Sequence, residues 1–255
     1  MKRTLLLPFL LLFLLAMNNR AAAQLSRRDS ASAYFGFAGT YAYQVPGGDL
    51  AKRFGNNSSA GASLLYKTKK NYAFGFNWAY MFSNNLKEIG ILDSIKTTDG
   101  TVIDKEGKYA DIRFFERGFT LNLSAGKVFN QVFSPNANSG LFLNGGIGYL
   151  QHKIRIYDNG ARSPQLTDTY LKGYDRLTSG LAFTEFVGFW FMSPNKYINF
   201  FGGFEFTQGL TKSRRSWDYD LMRADTEKRL DLLYGARVGW VIPITRKGSD
   251  NKYYY

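Results

Sequence analysis

Cysteine is absent from the 255 residues, and histidine occurs once, as His152. Without thiols the chain has no disulfide to staple it and no thiolate to act as a nucleophile. A zinc site would want several His or Cys ligands, which one histidine cannot supply. After the N-terminal segment no apolar run approaches the roughly 20 residues that a membrane-spanning helix needs. Any membrane span must therefore be made of strands.

What is present begins with Lys2 and Arg3, an apolar run from Leu5 to Met17, and the small residues Ala21, Ala22 and Ala23. That order is the pattern of a secretory signal. We expect residues 1–23 to be a signal peptide, export to follow the general secretory pathway, and residues 24–32 to form a short N-terminal periplasmic segment. Removing Lys2, Arg3 and Arg20 takes the net charge from +13 to +10. A basic exported chain suits lipid phosphates, whereas a nucleic-acid partner would need a compartment that this chain leaves.

From Tyr72 to Phe82 every second residue is aromatic: Tyr72, Phe74, Phe76, Trp78, Tyr80 and Phe82. Small or polar residues, such as Ala73, Gly75, Asn77 and Ala79, alternate with them. A soluble sheet usually buries Val, Ile and Leu against a second layer, but a row of aromatics opposite small residues suits a lipid-facing wall. Alternation and turn signals place strands near 33–45, 59–68, 71–83, 113–129, 140–156, 177–192, 197–210 and 229–244. The connections are about 13, 3, 29, 10, 20, 4 and 18 residues long, so long and short alternate as in outer-membrane barrels, with short periplasmic turns and long extracellular loops. The fold class expected is all-β: an eight-stranded antiparallel transmembrane β-barrel over residues 33–244. Residues 245–255 follow as a basic and aromatic tail.

These features resemble the small eight-stranded outer-membrane barrels of the OmpX and OmpA-barrel kind, and particularly barrels of Bacteroidota. The resemblance covers residues 33–255. It rests on the export signal, the eight alternating strands, the closing segment from Leu233 to Trp240, and the aromatic end at Tyr255. It implies recognition by the barrel-assembly machinery during biogenesis and location in the bacterial outer membrane among lipids and lipopolysaccharide. Leu233 stands where the family usually has a polar residue. Some small Bacteroidota barrels are accessory parts of secretion or export assemblies, so other envelope proteins are expected partners.

Charged residues that share parity with small residues should point inward, since Arg or Lys facing lipid at mid-depth costs roughly 2–4 kcal/mol. Glu116, Glu185, Glu205, Asp231 and Arg237 are thus the expected lumen charge network, with Arg117 or Arg229 as further cations. Glu185 is the ambiguous member, because it alternates in step with Leu181, Phe183, Val187 and Phe189. An eight-stranded interior is just wide enough for side chains to fill it. Lys52 and Arg53, within a first loop able to form one helical turn at the rim, are candidate contacts for lipid phosphates. The aromatic and charged mixture Tyr170, Lys172, Tyr174, Asp175 and Arg176 is the candidate partner-binding loop. Turn signals at Asp99-Gly100 and Glu106-Gly107 suggest strand extensions in the second long loop.

Chemistry is thinly represented. His152 has no evident nucleophile beside it, and Asp218, Asp220 and Asp225 lie among arginines without EF-hand spacing, which reads as a self-paired loop. Gly145, Gly146 and Gly148 precede no helix, so they are gaps or bends and not a phosphate loop. No catalytic residue, cofactor or metal is expected. The leading function is a non-catalytic structural or interaction component of the cell envelope. The alternatives are a narrow channel for small solutes or ions, and a lipid-modifying enzyme at the rim.

Overall fold

Alternation along each segment becomes a closed ring in three dimensions. The computed structural model describes residues 31–132, 136–160, 163–193 and 199–244. The signal segment, residues 24–30, the 245–255 tail, and Ser134, Pro135, Pro194 and Asn195 of two short turns lie outside them. The strands are β1 (Tyr34–Gly48), β2 (Asn57–Lys67), β3 (Tyr72–Ser83), β4 (Ile112–Phe129), β5 (Gly140–Asp158), β6 (Thr178–Met192), β7 (Asn199–Ser213) and β8 (Lys228–Ile244). Each pairs antiparallel with the next, and β1 closes on β8 with Tyr41 opposite Val238. The connections after β2, β4 and β6 are each shorter than their neighbours, so the long ones gather at one end.

The aromatic row of β3 is exposed throughout, while Ala73, Asn77 and Met81 between its members are buried. β1 shows Phe35, Phe37, Tyr41, Tyr43 and Val45 outward, and β8 shows Leu230, Tyr234, Val238, Trp240 and Ile242. Because side chains alternate across a strand, closure sends every second residue into the lumen and leaves its neighbour on the wall. No helix among the described residues is long and apolar enough to cross a membrane.

The interior has three levels. Toward the short turns, Phe142, Phe186, Trp190 and Phe201 pack with Tyr34, Leu65, Val128, Met192 and Val241. Trp190 stacks on Phe201 at 5.6 Å and meets Phe142 edge-on at 5.0 Å. Toward the long loops, Met81, Leu150, Ile154 and Leu233 from the strands meet Leu50, Phe54, Ile91, Leu92, Val102, Leu166 and Tyr174 from the connections. A polar belt lies between these two apolar layers.

The first long connection does form a helical turn, α1 (Leu50–Arg53), but not at the rim. Gly48 adopts a positive φ of 61°, which turns the chain inward, and Leu50 and Phe54 are fully buried in the mouth. An added Cβ at Gly48 would lie 2.3 Å from the Leu230 carbonyl oxygen. The expected strand extensions in the second long loop are absent among the described residues. Gly100 and Gly107 do make turns with positive φ, yet the segment between contributes only the isolated bridge Ile103–Tyr109. Burying Ile91, Leu92 and Val102 over the mouth removes apolar surface from water that a projecting hairpin would leave exposed.

Candidate functional site

Two places concentrate charge: the polar belt of the lumen and the cap of loops over the mouth. In the belt, Arg237 of β8 donates from Nη1 to Glu205 Oε2 on β7 at 2.5 Å. Its Nη2 reaches Ser63 Oγ and Asn77 Oδ1, both at 3.3 Å. Ser63 donates to Asn77 Oδ1 at 2.7 Å, and Asn77 Nδ2 donates to Asn122 Oδ1 at 2.6 Å and to Ser124 Oγ at 3.0 Å. Arg237 also lies over the Phe201 ring, so the belt rests directly on the lower apolar layer. Inward parity placed Glu205 and Arg237 together. Asn77 and Asn122 share that parity and complete the network, a signal that attention to charge alone passes over.

The other expected lumen charges do not join this network. Asp231 is paired with His152, whose Nε2 lies 2.9 Å from Asp231 Oδ2, and Thr211 donates its hydroxyl to the same oxygen. His152 is fully buried beneath Phe54, whose ring meets it edge-on at 5.6 Å. Glu116 is buried separately and accepts from Asn57 Nδ2 at 3.1 Å. Arg117, the next residue, points to the outer face, where its guanidinium lies over Phe115, so it is not a lumen partner. Glu185 is a correction: it faces outward from β6 with Leu181, Phe183 and Val187, and Phe186 and Trp190 face inward. Its register with Gly145 and Phe206 is regular, so no bulge resets it.

The cap is built on arginines. Arg176 contacts Glu88 at 3.0 Å, Asp220 at 3.1 Å, and Asp218. Arg53 reaches Glu88 at 3.3 Å and Asp225 at 3.8 Å, and donates to Thr178 at 3.0 Å. Arg229 holds Asp225 at 2.6 Å, and Arg215 holds Asp175 at 2.5 Å. All four long loops are thereby tied across the mouth. The carboxylates Asp218, Asp220 and Asp225 are engaged by arginines, two of them by Arg176 from a different loop, so the last loop is not simply self-paired.

This arrangement revises both surface proposals. Arg53 is buried in ion pairs, so it is not presented to lipid phosphates; Lys52 is exposed but paired with Asp49 at 2.7 Å. Of the expected partner loop, Tyr174, Asp175 and Arg176 are buried within the cap, and Tyr170 and Lys172 remain on the surface. The sequence shows mixed aromatic and charged residues there, but not which of them the neighbouring loops consume.

Loop carboxylates respond to pH in opposite senses. Hydrogen bonds from Lys52 and from the Leu230 amide hold Asp49 below its ordinary 3.8. Burial pushes Asp220 up, outweighing the attraction of Arg176. A lowered carboxylate pKa gives stability that is present above the unfolded value and lost as pH falls through the folded one, whereas the raised Asp220 disfavours the charged fold at neutral pH and relents on acidification. Pepsin cleavage within residues 49–56 is accordingly expected to stay constant from about pH 5 to about pH 4 and to rise only below the ordinary carboxylate value. A rise already at pH 5 would show that another group anchors α1.

The lumen void beside Arg237 and Glu205 is about 20 Å³, lined by Gln44, Ser59, Asn122, Thr184 and Thr207 among others. That is room for roughly one water. It lies between the Trp190 layer and the Phe54 layer.

No protein-family profile and no curated protein matches the chain. Among solved structures it is similar to Ail, the attachment invasion locus protein of Yersinia pestis, at 10% identity and a TM-score of 0.45, over 82% of this chain and 99% of that one. Ail has also been crystallised with the heparin analogue sucrose octasulfate. Neisserial surface protein A is similar at 12% identity and a TM-score of 0.41, over 82% of this chain and 98% of that one. The N-terminal β-barrel domain of Pseudomonas aeruginosa OprF is similar at 8% identity and a TM-score of 0.38, over 82% and 99%. The chain's own ring, closed by β1 against β8, makes it an all-β, eight-stranded antiparallel barrel.

Proposed function

We propose that this chain is an integral outer-membrane barrel that performs no catalysis and serves as a structural or protein-interaction component of the cell envelope. The observation that carries this reading is a ring with an aromatic and aliphatic outer wall and an interior plugged by apolar side chains at both ends. A closed ring satisfies its backbone groups between strands, which is what hydrocarbon demands. Among the described residues no second protein layer covers its apolar wall, and lipid supplies that cover. The long loops then face outside, the short turns face the periplasm, and the lipids and lipopolysaccharide of the outer membrane surround the wall. An accessory place in a secretion or export assembly belongs to the same proposal.

A channel is disfavoured by the two apolar layers, because an ion crossing them would have to shed its water without replacement ligands. A rim-located lipid-modifying enzyme is disfavoured by the burial of His152 beneath Phe54. Purified protein in planar bilayers is expected to give no unitary conductance steps. Reproducible steps would overturn the plugged reading and install the channel. Fractionation with outer membranes, with slower gel migration after boiling, is the matching check on the membrane reading.

A further inference from the structure

Glu185 breaks the chemistry of the wall. It lies midway along β6, between Phe183 and Val187, and pairs across with Phe206, itself midway along β7. It is therefore far from both rims. Among the described residues it makes no hydrogen bond or ion pair. Across the other edge it faces Gly145 of β5, and a Cβ built there would meet nothing within 4 Å. Phe206 is held against Tyr234 at 4.8 Å, on the side away from Gly145. The carboxylate is thus flanked by a ring on one side and by a small open recess on the other.

An ionisable side chain at that depth needs a partner, because hydrocarbon solvates neither charge nor hydrogen-bonding groups. Among the described residues no cation is paired with it. Arg237, the cation at the corresponding level, points into the lumen and is taken by Glu205. The outward cations of β4 lie toward the strand ends: Lys127 sits over Tyr72 and Phe129 near the short turns, and Arg117 over Phe115 toward the loops. Lipid headgroups carry their cations at the interface, out of reach of mid-strand. A second copy packed face to face would bring another Glu185, not a counter-charge.

We propose that the β5–β7 wall centred on Glu185 is a docking surface within the membrane for a different membrane-embedded protein, which inserts an Arg or Lys side chain into the recess over Gly145. This rests on the membrane reading above and adds the location of the contact and the chemistry of the partner.

The absence of cysteine makes the test clean, since one introduced thiol is unique. Val187→Cys is labelled with a photoreactive benzophenone maleimide in outer membranes of the native host, with Trp78→Cys on a distant strand as control. Membrane fractionation and heat-dependent gel migration are scored on the same samples. The proposal expects one discrete adduct from position 187 alone, with the cross-linked peptide drawn from an apolar segment that carries Lys or Arg. Adding Glu185→Gln should cut its yield at least about tenfold, and Glu185→Asp should retain it. An adduct indifferent to Glu185→Gln, an equal adduct from position 78, or an adduct of two copies of this chain would overturn the proposal. So would no adduct from protein that fractionates as a folded membrane barrel. Protein that fails to fractionate with membranes would instead bring down the membrane reading, and this proposal with it.

Discussion

Replacing Arg237 with leucine is expected to lower folding stability by about 3–5 kcal/mol, the usual result of leaving one member of a buried ion pair alone. Arg237 and Glu205 are each about a tenth exposed. The arginine also supplies the hydrogen bonds to Ser63 and Asn77 that join β8 to β2 and β3 across the lumen. Losing it leaves the Glu205 carboxylate without its cation, in a belt with no bulk water. The double variant Arg237→Leu with Glu205→Leu should recover much of the loss, because it removes both buried charges together and leaves no carboxylate without its cation. Urea midpoints of barrels refolded in detergent, followed by tryptophan fluorescence, measure both. A double variant no more stable than the single one would mean that the carboxylate and the guanidinium are not a coupled pair.

Arg176→Ala acts at the other end of the molecule and leaves the strands intact. The side chain is almost wholly buried and is the shared partner of Glu88, Asp218 and Asp220, which come from two different loops. Without it three carboxylates crowd one another over the Leu92 and Tyr174 layer. A local cost of about 3 kcal/mol, expressed as opening of the cap, raises the open population about 100-fold. Under conditions where reclosing outpaces cleavage, proteolysis of residues 84–111 and 214–227 should accelerate by about that factor, since cutting then tracks the open population. The strand core should still resist until the barrel melts. Loss of the whole barrel at the same rate would show that the cap and the strands unfold as one unit.

The wall was legible in the sequence because strand geometry has a period of two and every strand obeys it. Tyr72 through Phe82 and Leu230 through Ile242 lie on the outer face that their alternation assigns them. The eight strands begin and end within a few residues of the places that turn chemistry marks. The pair Glu205 and Arg237 followed from the same parity. Glu185 shows the limit of expecting charge to face inward: its parity with Phe183 and Val187 was visible, but the cost of a charge in lipid argued the other way. The register of the closed ring decided the matter.

Parity says which face a side chain takes, but not what it meets across a lumen or over a mouth. Asp231 and Arg237 share a face of β8, yet one meets His152 and the other Glu205, because their separation along the strand sets them at different heights. Arg53 and Arg176 belong to loops more than a hundred residues apart, and both reach Glu88. Connections of irregular backbone carry no period from which such meetings could be read. The sequence by itself determined the strands, their outward faces and the closed ring, because those follow from local alternation and backbone hydrogen bonding. Only the tertiary structure decided the cap, the partitioned lumen charges and the outward-facing carboxylate of Glu185, because each depends on which distant residues arrive at the same height of the barrel.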